Sequence, residues 1–458
     1  MTTRPAPVAA TLPLRRNRDF GLLWFGEGVS VLGNATTSVL LPLLAVVAFD
    51  AGPGWMGLLT AAAWAPWLLI GLPAGAWVDR LPVRRVMVAS DLTAAVVLAS
   101  VPLAWALGHL TLLHVVLAAL GNGVCTVFFR AAYPALVRQV APRAQQEQAF
   151  ARLFGTESAM QVAGPGVGGL LAQLGSSALG LAVDAASFLV SAACLARLRL
   201  RPDPAPSRPA TPSAPLRTRI GEGVDYIRGD RLLRFFTVLG EVSNFGLTGY
   251  GALLVLFLVR QLHLAPAAVG AVMATGSLGG FVGAAVATRL SARLGSARSL
   301  VALQLLAGPT ALLLPLATPG VGLVWFVLGQ LLVGTGVVAG NVIRGAWRNR
   351  YVPESMLARQ VTTTQVVNFG TMPLAGLAAG WLGAELGLRP TIALMAAIHT
   401  AACLAMFWSP LRGMRDLPGA ARSTGPAADE RAGGLTPRQP TGRWNSGSRA
   451  TPRNRIPT

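Results

Sequence analysis

The chain has 458 residues, of which 53% are hydrophobic and only 12% are charged, and its mean hydropathy is +0.55. Soluble domains carry about 25% charged residues, so the composition excludes a soluble globular protein, and the apolar content excludes a wholly disordered one. The formal net charge is +20, but the 38 basic residues are all Arg and lie between apolar runs, which argues against a nucleic-acid partner.

Twelve apolar segments are each long enough to cross a bilayer, because a transmembrane helix needs about 20 mostly apolar residues. We number them span 1 to span 12 in chain order. They run approximately over residues 20–47, 56–78, 86–107, 112–129, 154–174, 179–195, 235–258, 267–288, 300–316, 321–343, 361–382 and 391–407. The sequence therefore predicts an all-α integral membrane protein with twelve transmembrane helices.

The segments between and beyond the spans divide the chain into five parts. Residues 1–19 form a predicted cytoplasmic arm, and residues 20–196 form a bundle of six spans. Residues 197–231 are rich in Pro, Arg and Ser and predict a cytoplasmic linker that ends in a short amphipathic helix. Residues 232–411 form a second bundle of six spans. Residues 412–458 are rich in Gly, Pro and Arg, lack apolar periodicity and predict a disordered cytoplasmic tail.

The distribution of Arg sets the predicted orientation. With the amino terminus in the cytoplasm, the inner segments hold 35 of the 38 Arg residues, and the outer loops hold only Arg260 and Arg389. Basic residues collect on the cytoplasmic side of membrane proteins. The sequence therefore predicts a protein of the plasma membrane with both termini in the cytoplasm, and this asymmetry explains the net charge without a polyanionic partner.

No cluster of residues suggests catalysis or metal binding. The three Cys residues, Cys125, Cys194 and Cys403, lie inside apolar runs, and the four His residues are scattered. Neither metal-ligand spacing nor a phosphate-binding or dinucleotide-binding motif is present in the sequence. We therefore predict that the chain is not an enzyme and uses neither a metal nor a cofactor.

The two predicted bundles resemble each other at four places in the same order. Glu27 in span 1 corresponds to Glu241 in span 7, and Arg130 after span 4 corresponds to Arg344 after span 10, each pair 214 residues apart. The loops after spans 2 and 8 correspond at an offset of 213, and stretches of spans 5 and 11 at 208. Duplication of a unit with six spans predicts two pseudo-symmetric six-helix bundles, as in two-bundle secondary transporters.

Residues 75–85 read GAWVDRLPVRR and resemble the signature of the loop between the second and third helices in the major facilitator superfamily. Only Pro82 departs from that signature, which has Gly there. The resemblance implies the major facilitator fold and a latch that joins the cytoplasmic helix ends when the outer side is open. The alternative is that these Arg residues only fix topology. The predicted latch residues are Gly75, Asp79, Arg80, Arg84, Arg85, Asp91, Arg130 and Arg344.

Residues 164–169 in span 5 read GPGVGG and resemble the core of the superfamily's antiporter signature, which in the family accompanies export. Proline removes an intrahelical hydrogen bond and glycines let backbones touch, so we expect a bent helix that packs the two bundles together and resists leak. The alternative is a generic stretch of small residues for helix packing. The residues of this predicted signature are Gly164, Pro165, Gly168 and Gly169.

Further features extend the resemblance, over roughly residues 14–411, to the drug, macrolide and siderophore exporters of the superfamily. They include LWFG at residues 23–26 and DAASFLVS at residues 184–191. That group usually has Gln and Asp where this chain has Glu27 and Asn34. The Glu27 difference places an additional ionisable group in the membrane.

Ionisable side chains within membrane spans are costly and are treated first as functional candidates. We predict Glu27, Glu241 and Asp184 as candidates for proton coupling. Glu27 lies about 10 Å into its span at 1.5 Å per residue, and Glu241 lies at a similar depth. The alternatives are static ion pairs of the two Glu residues with Arg130 and Arg344, and a capping or pairing role for Asp184.

The resemblance implies a central substrate cavity lined by spans 1, 4, 7 and 10. Amides would supply polar contacts and aromatic rings apolar ones, although each aromatic residue has a lipid-facing or interhelical position as its alternative. The predicted cavity residues are Trp24, Asn34, Asn122, Phe128, Asn244, Phe245, Trp325 and Asn341.

Together these features predict a secondary active exporter of an amphipathic small molecule, such as a drug, a macrolide-like antibiotic or a siderophore. We expect proton antiport by alternating access, with the substrate, protons and the lipid bilayer as partners and a monomer as the working unit. One alternative is an uncoupled importer or facilitator. Another is a membrane sensor or scaffold without transport activity that acts through its Arg-rich tail.

Overall fold

The computed structural model describes residues 14–200 and 216–419. The predicted arm up to residue 13, the linker from 201 to 215 and the tail after 419 lie outside the described residues. Regular structure in the described part is entirely helical. The α-helices are α1 Arg18–Phe49, α2 Pro53–Val78, α3 Val83–Ala106, α4 Leu112–Val140, α5 Gln146–Leu174, α6 Ser177–Ala196, α7 Leu216–Gly229, α8 Arg231–Arg260, α9 Pro266–Leu294, α10 Ser296–Ala307, α11 Leu323–Tyr351, α12 Glu354–Leu386 and α13 Leu388–Ala405.

Twelve of these helices correspond to the predicted spans, α1–α6 to spans 1–6 and α8–α13 to spans 7–12. Eleven helical segments of the described part are long and apolar enough to cross a membrane. The remaining predicted span is span 5, which corresponds to α5. This helix has 29 residues, about 44 Å at 1.5 Å per residue, and so is long enough to cross, but its first half carries Glu147, Arg152 and Glu157. The prediction of an all-α membrane protein with two six-helix bundles is confirmed.

Span 9 and the linker show how local sequence shapes the helices. In span 9, α10 gives way to a 3-10 segment, Gly308–Leu316, because Pro309 and Pro315 cannot donate backbone hydrogen bonds. The predicted amphipathic helix at the end of the linker is α7, which docks on α12. There Arg359 pairs with Glu222 at 3.1 Å.

The bundles pack against each other at one end, which carries the loops after α1, α3, α5, α8, α10 and α12. We call this the arginine-poor end, and the opposite end the arginine-rich end. Gly57 of α2 meets α12, where a Cβ atom on Gly57 would lie 2.5 Å from the carbonyl oxygen of Gly376 and 2.8 Å from Gly380 Cα. Gly169 of α5 meets α9, where a Cβ atom would lie 2.9 Å from Gly270 Cα. We call these two glycine contacts the closed seam, which requires small residues for its close backbone approach.

Polar contacts join the bundles at the same end. Arg260 donates to the carbonyl oxygen of Asp50 at 2.7 Å and to its Oδ1 at 2.5 Å. The backbone N–H of Ala267 donates to Gln173 Oε1 at 3.1 Å. A cluster of buried apolar side chains from both bundles surrounds these contacts. The structure is therefore closed at its arginine-poor end.

The first residues of the predicted tail pack against the second bundle. The carbonyl oxygen of Arg415 accepts from the backbone N–H of Ala297 at 3.1 Å, and Asp416 Oδ1 accepts from the N–H of Ser296 at 2.9 Å. Trp347 Nε1 donates to the carbonyl oxygen of Pro418 at 3.0 Å. The bonds of Ser296 and Ala297 satisfy N–H groups that the first turn of α10 leaves without helical partners, and the bond of Trp347 ties the same segment to α11. The predicted start of a disordered tail at residue 412 is therefore too early.

Truncation after Gly413 is expected to destabilise the protein, whereas truncation after Gly419 is expected to be tolerated. The shorter chain loses the cap of α10 and the buried side chain of Leu417. Caps and hydrogen bonds of this kind each contribute about 1 kcal/mol, so the free energy of unfolding should fall by about 1–3 kcal/mol. The apparent melting temperature of the two purified truncated proteins measures the difference, and equal values would contradict the capping role.

Candidate functional site

Three of the cavities that the described residues line hold predicted carboxyl or amide residues. The Glu27 cavity, of about 290 Å³, lies inside the first bundle and is lined mainly by α1, α3 and α4. The Glu241 cavity, of about 340 Å³, lies inside the second bundle and is lined mainly by α8, α11 and α12. The central cavity, of about 490 Å³, lies between the bundles and is lined by α1, α2, α4, α8 and α9.

Glu27 lies deep in its bundle because the residues on both sides of it are glycines. Gly26 packs against α6, where a Cβ atom would lie 3.0 Å from Cys194 Cβ. Gly28 packs against α5, where a Cβ atom would lie 3.3 Å from Thr156 Cγ2. Helix α1 therefore approaches both neighbours closely, and Glu27 is only 5% exposed.

Two carboxyl groups and one guanidinium group line the Glu27 cavity. Arg130 donates to Glu157 Oε1 at 2.5 Å, so its ion pair is with α5 rather than with Glu27. Glu27 Oε2 and Asp91 Oδ2 are both buried without a hydrogen-bond partner. An ionised carboxyl group buried without a partner is costly, and the binding of a proton removes that cost.

The Glu241 cavity has the opposite balance of charge. Glu241 shares it with Arg344 and Arg348, and Arg344 donates to Asn341 Oδ1 at 2.8 Å. Glu241 also lies close to Asn368 of α12. The 214-residue correspondence therefore brings one Glu and one Arg into the same cavity in each bundle, but only the first bundle adds a second acid.

The central cavity has no charged side chain among its lining residues. Asn122 Nδ2 donates to Asn34 Oδ1 at 3.3 Å, and Asn122 Oδ1 is buried without a hydrogen-bond partner. Trp64, Trp67 and Met56 supply part of the apolar wall. Apolar walls with a few convergent polar groups are typical of small-molecule sites.

The Glu27 cavity and the central cavity adjoin each other. Four residues line both, namely Asn34, Ser38, Trp64 and Thr126. A change in the protonation of the carboxyl groups in the first bundle can therefore reach the central cavity through residues that line both cavities.

The predicted Asn residues all line cavities. Asn34 and Asn122 line the central cavity, as the resemblance implied, whereas Asn244 and Asn341 line the Glu241 cavity. The sequence could not distinguish these two positions, because α8 and α11 have polar residues on more than one face.

None of the four predicted aromatic residues lines one of these three cavities in this state. Trp24 is 43% exposed and donates from its indole to a threonine of α5 at 2.6 Å. Phe128 stacks on Trp77 with ring centroids 6.1 Å apart, and Phe245 packs against the apolar cluster at the closed seam. Trp325 is 46% exposed on α11. In this state these side chains are exposed or packed between helices, and their contact with cargo stays a prediction.

Asp184 lines none of the three cavities, although its partner Thr37 lines the central one, and its role in proton coupling stays a prediction. Its carboxylate accepts from the hydroxyl of Thr37 and, at 2.9 Å, from the hydroxyl of Ser187. Gly33 of α1 makes room for it, because a Cβ atom there would lie 1.9 Å from Asp184 Oδ1. Asp184 therefore joins α6 to α1 and has the pairing role that was its alternative.

The predicted latch is not assembled in this structure. Asp79 is an exposed residue at the end of α2, and Arg80 and Arg85 are exposed beside it. Arg84 donates to the carbonyl oxygen of Leu198 at 2.8 Å, within the same bundle. Gly75 has open space where a Cβ atom would lie, so it makes no close helix contact in this state.

Three of the predicted latch residues line cavities in this state. Asp91 and Arg130 line the Glu27 cavity, and Arg344 lines the Glu241 cavity. Asp91 is eight residues past the start of α3 at Val83, a rise of about 12 Å at 1.5 Å per residue. That rise places it too deep to join Asp79 at the helix end.

The glycines of α5 have two different neighbours. A Cβ atom on Gly164 would lie 2.3 Å from Ala35 Cβ, and one on Gly168 would lie 2.9 Å from the carbonyl oxygen of Thr36, so both pack on α1 within the first bundle. Gly169 and the carbonyl oxygen of Pro165 instead face α9 of the second bundle. Only part of this stretch therefore joins the two bundles.

Sequence reasoning missed the residues that build the closed seam and the tryptophan wall. The pattern Gly376-x-x-x-Gly380 is a known sign of close helix approach and was an available signal. Trp64 and Trp67 gave no such signal, because tryptophan is common on lipid-facing positions as well. Their place in the central cavity depends on how α2 is rotated about its axis.

Two six-helix bundles that close over a central cavity define the class of protein, a two-bundle membrane transporter. The chain belongs to the Major Facilitator Superfamily, whose sequence profile matches residues 23–369 and 236–444. No curated protein sequence matches the chain.

Solved structures of transporters share the fold at low sequence identity. A mutant form of the nucleoside transporter NupG is 13% identical with a TM-score of 0.71, covering 85% of this chain and 99% of its own. A bacterial homologue of the human lysosomal transporter Spinster is 14% identical with a TM-score of 0.65, covering 86% and 97%. A POT family transporter in complex with 5-aminolevulinic acid is 12% identical with a TM-score of 0.64, covering 86% and 96%.

Proposed function

We propose that the chain exports an amphipathic small molecule in exchange for protons and that Glu27 is the coupling residue. The observation that supports this is the Glu27 cavity, where two buried carboxyl groups with unpartnered oxygens adjoin an uncharged cavity between the bundles. Ionisable groups at such positions mark ion pathways in transporters. The proposed cargo is of the drug, macrolide or siderophore type.

Alternating access gives the proposed cycle. The arginine-rich end faces the cytoplasm by the positive-inside rule, so a structure closed at the arginine-poor end is an inward-open state. Cargo enters the central cavity from the cytoplasm, and opening of the closed seam then presents it to the outside. A proton taken up by Glu27 from the outside and released inside drives the cycle in one direction. The protein acts as a monomer in the plasma membrane with both termini in the cytoplasm.

Everted membrane vesicles provide the test, because export from the cell becomes uptake into the vesicle. Vesicles energised with an inside-acidic gradient receive a panel of macrolides, siderophores and aromatic drugs while an internal pH dye reports proton release. We expect at least one compound to release protons faster from vesicles with the wild-type chain than from vesicles with Glu27→Gln. Equal release with every compound would contradict proton-coupled export.

The two alternatives give different results in the same vesicles. An uncoupled facilitator would move the compound at one rate with and without the proton gradient. A sensor or scaffold would lose its function on removal of residues 420–458 and would be indifferent to substitution of Asn122 in the central cavity. The proposed exporter would keep its transport activity without residues 420–458 and would lose activity on substitution of Asn122.

Asp79→Asn is expected to lower transport roughly tenfold. In the outward-open state the latch would bring Asp79 to Arg84 or to the start of a neighbouring helix, and one charge-assisted hydrogen bond contributes about 1.5–3 kcal/mol. Because Asp79 is exposed here, thermal stability should not change. Glu147→Gln, an exposed carboxyl group at the same end, is the matched control. Wild-type transport rates in Asp79→Asn would leave this loop with a topological role only.

A further inference from the structure

Charge is absent from the central cavity although both neighbouring cavities contain it. The charged lining residues are Glu27, Asp91 and Arg130 in one bundle and Glu241, Arg344 and Arg348 in the other. Among the described residues, those that line the central cavity are all uncharged. A cation or an anion in that cavity would therefore contact no side chain of opposite charge, and it would lose part of its hydration without compensation when the bundles close over it.

Two amide side chains, Asn122 and Asn34, form a hydrogen-bonded pair in the wall of the central cavity. Asn122 uses its Nδ2 group to bind Asn34 Oδ1 and leaves its own Oδ1 buried without a partner. The hydroxyl of Thr126 is bound to the backbone carbonyl of Asn122 at 2.8 Å, so it does not satisfy that oxygen. A buried acceptor without a partner costs about 1–3 kcal/mol, which an N–H or O–H donor on a ligand would recover.

The apolar wall of the central cavity combines flat indole rings with thioether side chains. Trp67 lies against Phe369 of α12 with ring centroids 4.7 Å apart, and Trp64 stacks on the same ring at 6.3 Å. Met56 and Met273 complete the lining with flexible thioether side chains. Rigid indole rings favour stacking with a planar ligand, whereas the thioethers adapt to its outline.

We infer that the central cavity selects an uncharged cargo with a planar apolar body and an amide-like edge that donates a hydrogen bond to Asn122. This inference rests on the proposed function and narrows the class of its cargo. It also separates the two tasks of the first bundle, because Glu27 and Asp91 bind protons without touching the cargo. The shared residue Asn34 then connects the proton site to the cargo site.

Three probes built on one ring system test the inference. Acridone is uncharged and has an N–H donor and a carbonyl group, 10-methylacridinium is a permanent cation, and acridine-9-carboxylate is an anion. Their binding to the full chain in lipid nanodiscs is measured by equilibrium dialysis without any gradient, and empty nanodiscs correct for partition into lipid. We expect acridone to bind about tenfold or more tightly than either ion, because neither ion finds a counter-charge in the cavity.

Three variants locate the binding site. Asn122→Leu and Trp67→Leu should each weaken acridone binding at least about fivefold, since they remove a hydrogen-bond acceptor and a stacking surface. Trp325→Leu, at an exposed position of α11 that lines none of the three cavities, is the matched control and should leave the affinity unchanged. Two separate substitutions in the cavity protect the test against misfolding of one of them.

The binding results that would overturn this inference differ from the transport results that would overturn the proposed function. An ion that binds as tightly as acridone, absence of acridone binding, or wild-type affinity in both cavity variants would overturn the inference. Loss of proton coupling in everted vesicles with the order of affinities intact would overturn the proposed exchange with protons and leave the cargo class standing.

Discussion

Glu27→Gln is expected to abolish proton-driven transport and to spare exchange of cargo between the two sides. The amide has nearly the size of the carboxyl group but cannot bind or release a proton, so the Glu27 cavity keeps its packing and loses its titratable oxygen. The variant in proteoliposomes should fail to accumulate cargo when only a proton gradient is applied. The same proteoliposomes should still exchange labelled for unlabelled cargo, which shows that the protein is folded and binds its cargo.

Glu241→Gln is the matched comparison, because Glu241 is the pseudo-symmetric residue on α8. It shares its cavity with two Arg residues, whereas the guanidinium in the Glu27 cavity is already paired with Glu157. Loss of the Glu241 charge should therefore reduce transport without removing its dependence on the proton gradient. Accumulation of cargo by Glu27→Gln under a proton gradient alone would show that Glu27 is not the coupling site.

The fold was predictable from the sequence because its determinants are local. Segment length and hydropathy fix where helices cross the membrane, and the repeat at offsets near 214 residues implies two similar bundles. The structure places these corresponding residues in corresponding cavities, Glu27 with Arg130 and Glu241 with Arg344. The boundaries were less accurate, since the ordered residues after 412 are polar and gain their order only through bonds to α10.

The cavity lining was only partly predictable, because helix rotation is invisible in an apolar segment. In a soluble helix, the polar face marks the side that faces away from the core. In a membrane helix, lipid-facing and buried faces are both apolar, so Trp24 and Trp64 look equivalent in sequence. The structure places the first on an exposed face and the second in the central cavity. The Asn residues were easier, since amides avoid lipid.

The role of Asp184 illustrates a second limit. A carboxyl group within a span suggests a functional site, but its partners lie 147 residues and three residues away, at Thr37 and Ser187. A hydroxyl pair of this kind is too common in sequence to predict a contact. Only the fold shows that it satisfies the carboxylate and that Gly33 leaves space for it.

Gly57→Ala is expected to open the closed seam. After Glu27→Gln, it is the second substitution from which we expect a large effect on transport. The added methyl group would lie 2.5 Å from the carbonyl oxygen of Gly376, so the backbones of α2 and α12 must separate. Overpacking of this kind costs about 1–3 kcal/mol, which shifts the balance between the two states roughly fivefold to 150-fold towards the outward-open state. Transport should fall by a similar factor, because the outer end must close in every cycle.

Cysteine accessibility measures this shift directly. Thr248→Cys places a thiol in the central cavity, in a background where the three native cysteines are replaced by serine. A membrane-impermeant maleimide applied to intact cells should label it at least about fivefold faster when Gly57→Ala is present. Gly54→Ala is the matched control, one turn earlier on α2, because a Cβ atom there meets no atom within 4 Å. Equal labelling in Gly57→Ala and Gly54→Ala would mean that the glycine contact between α2 and α12 does not control access from outside, and that the polar contacts of Arg260 and Gln173 hold the arginine-poor end closed.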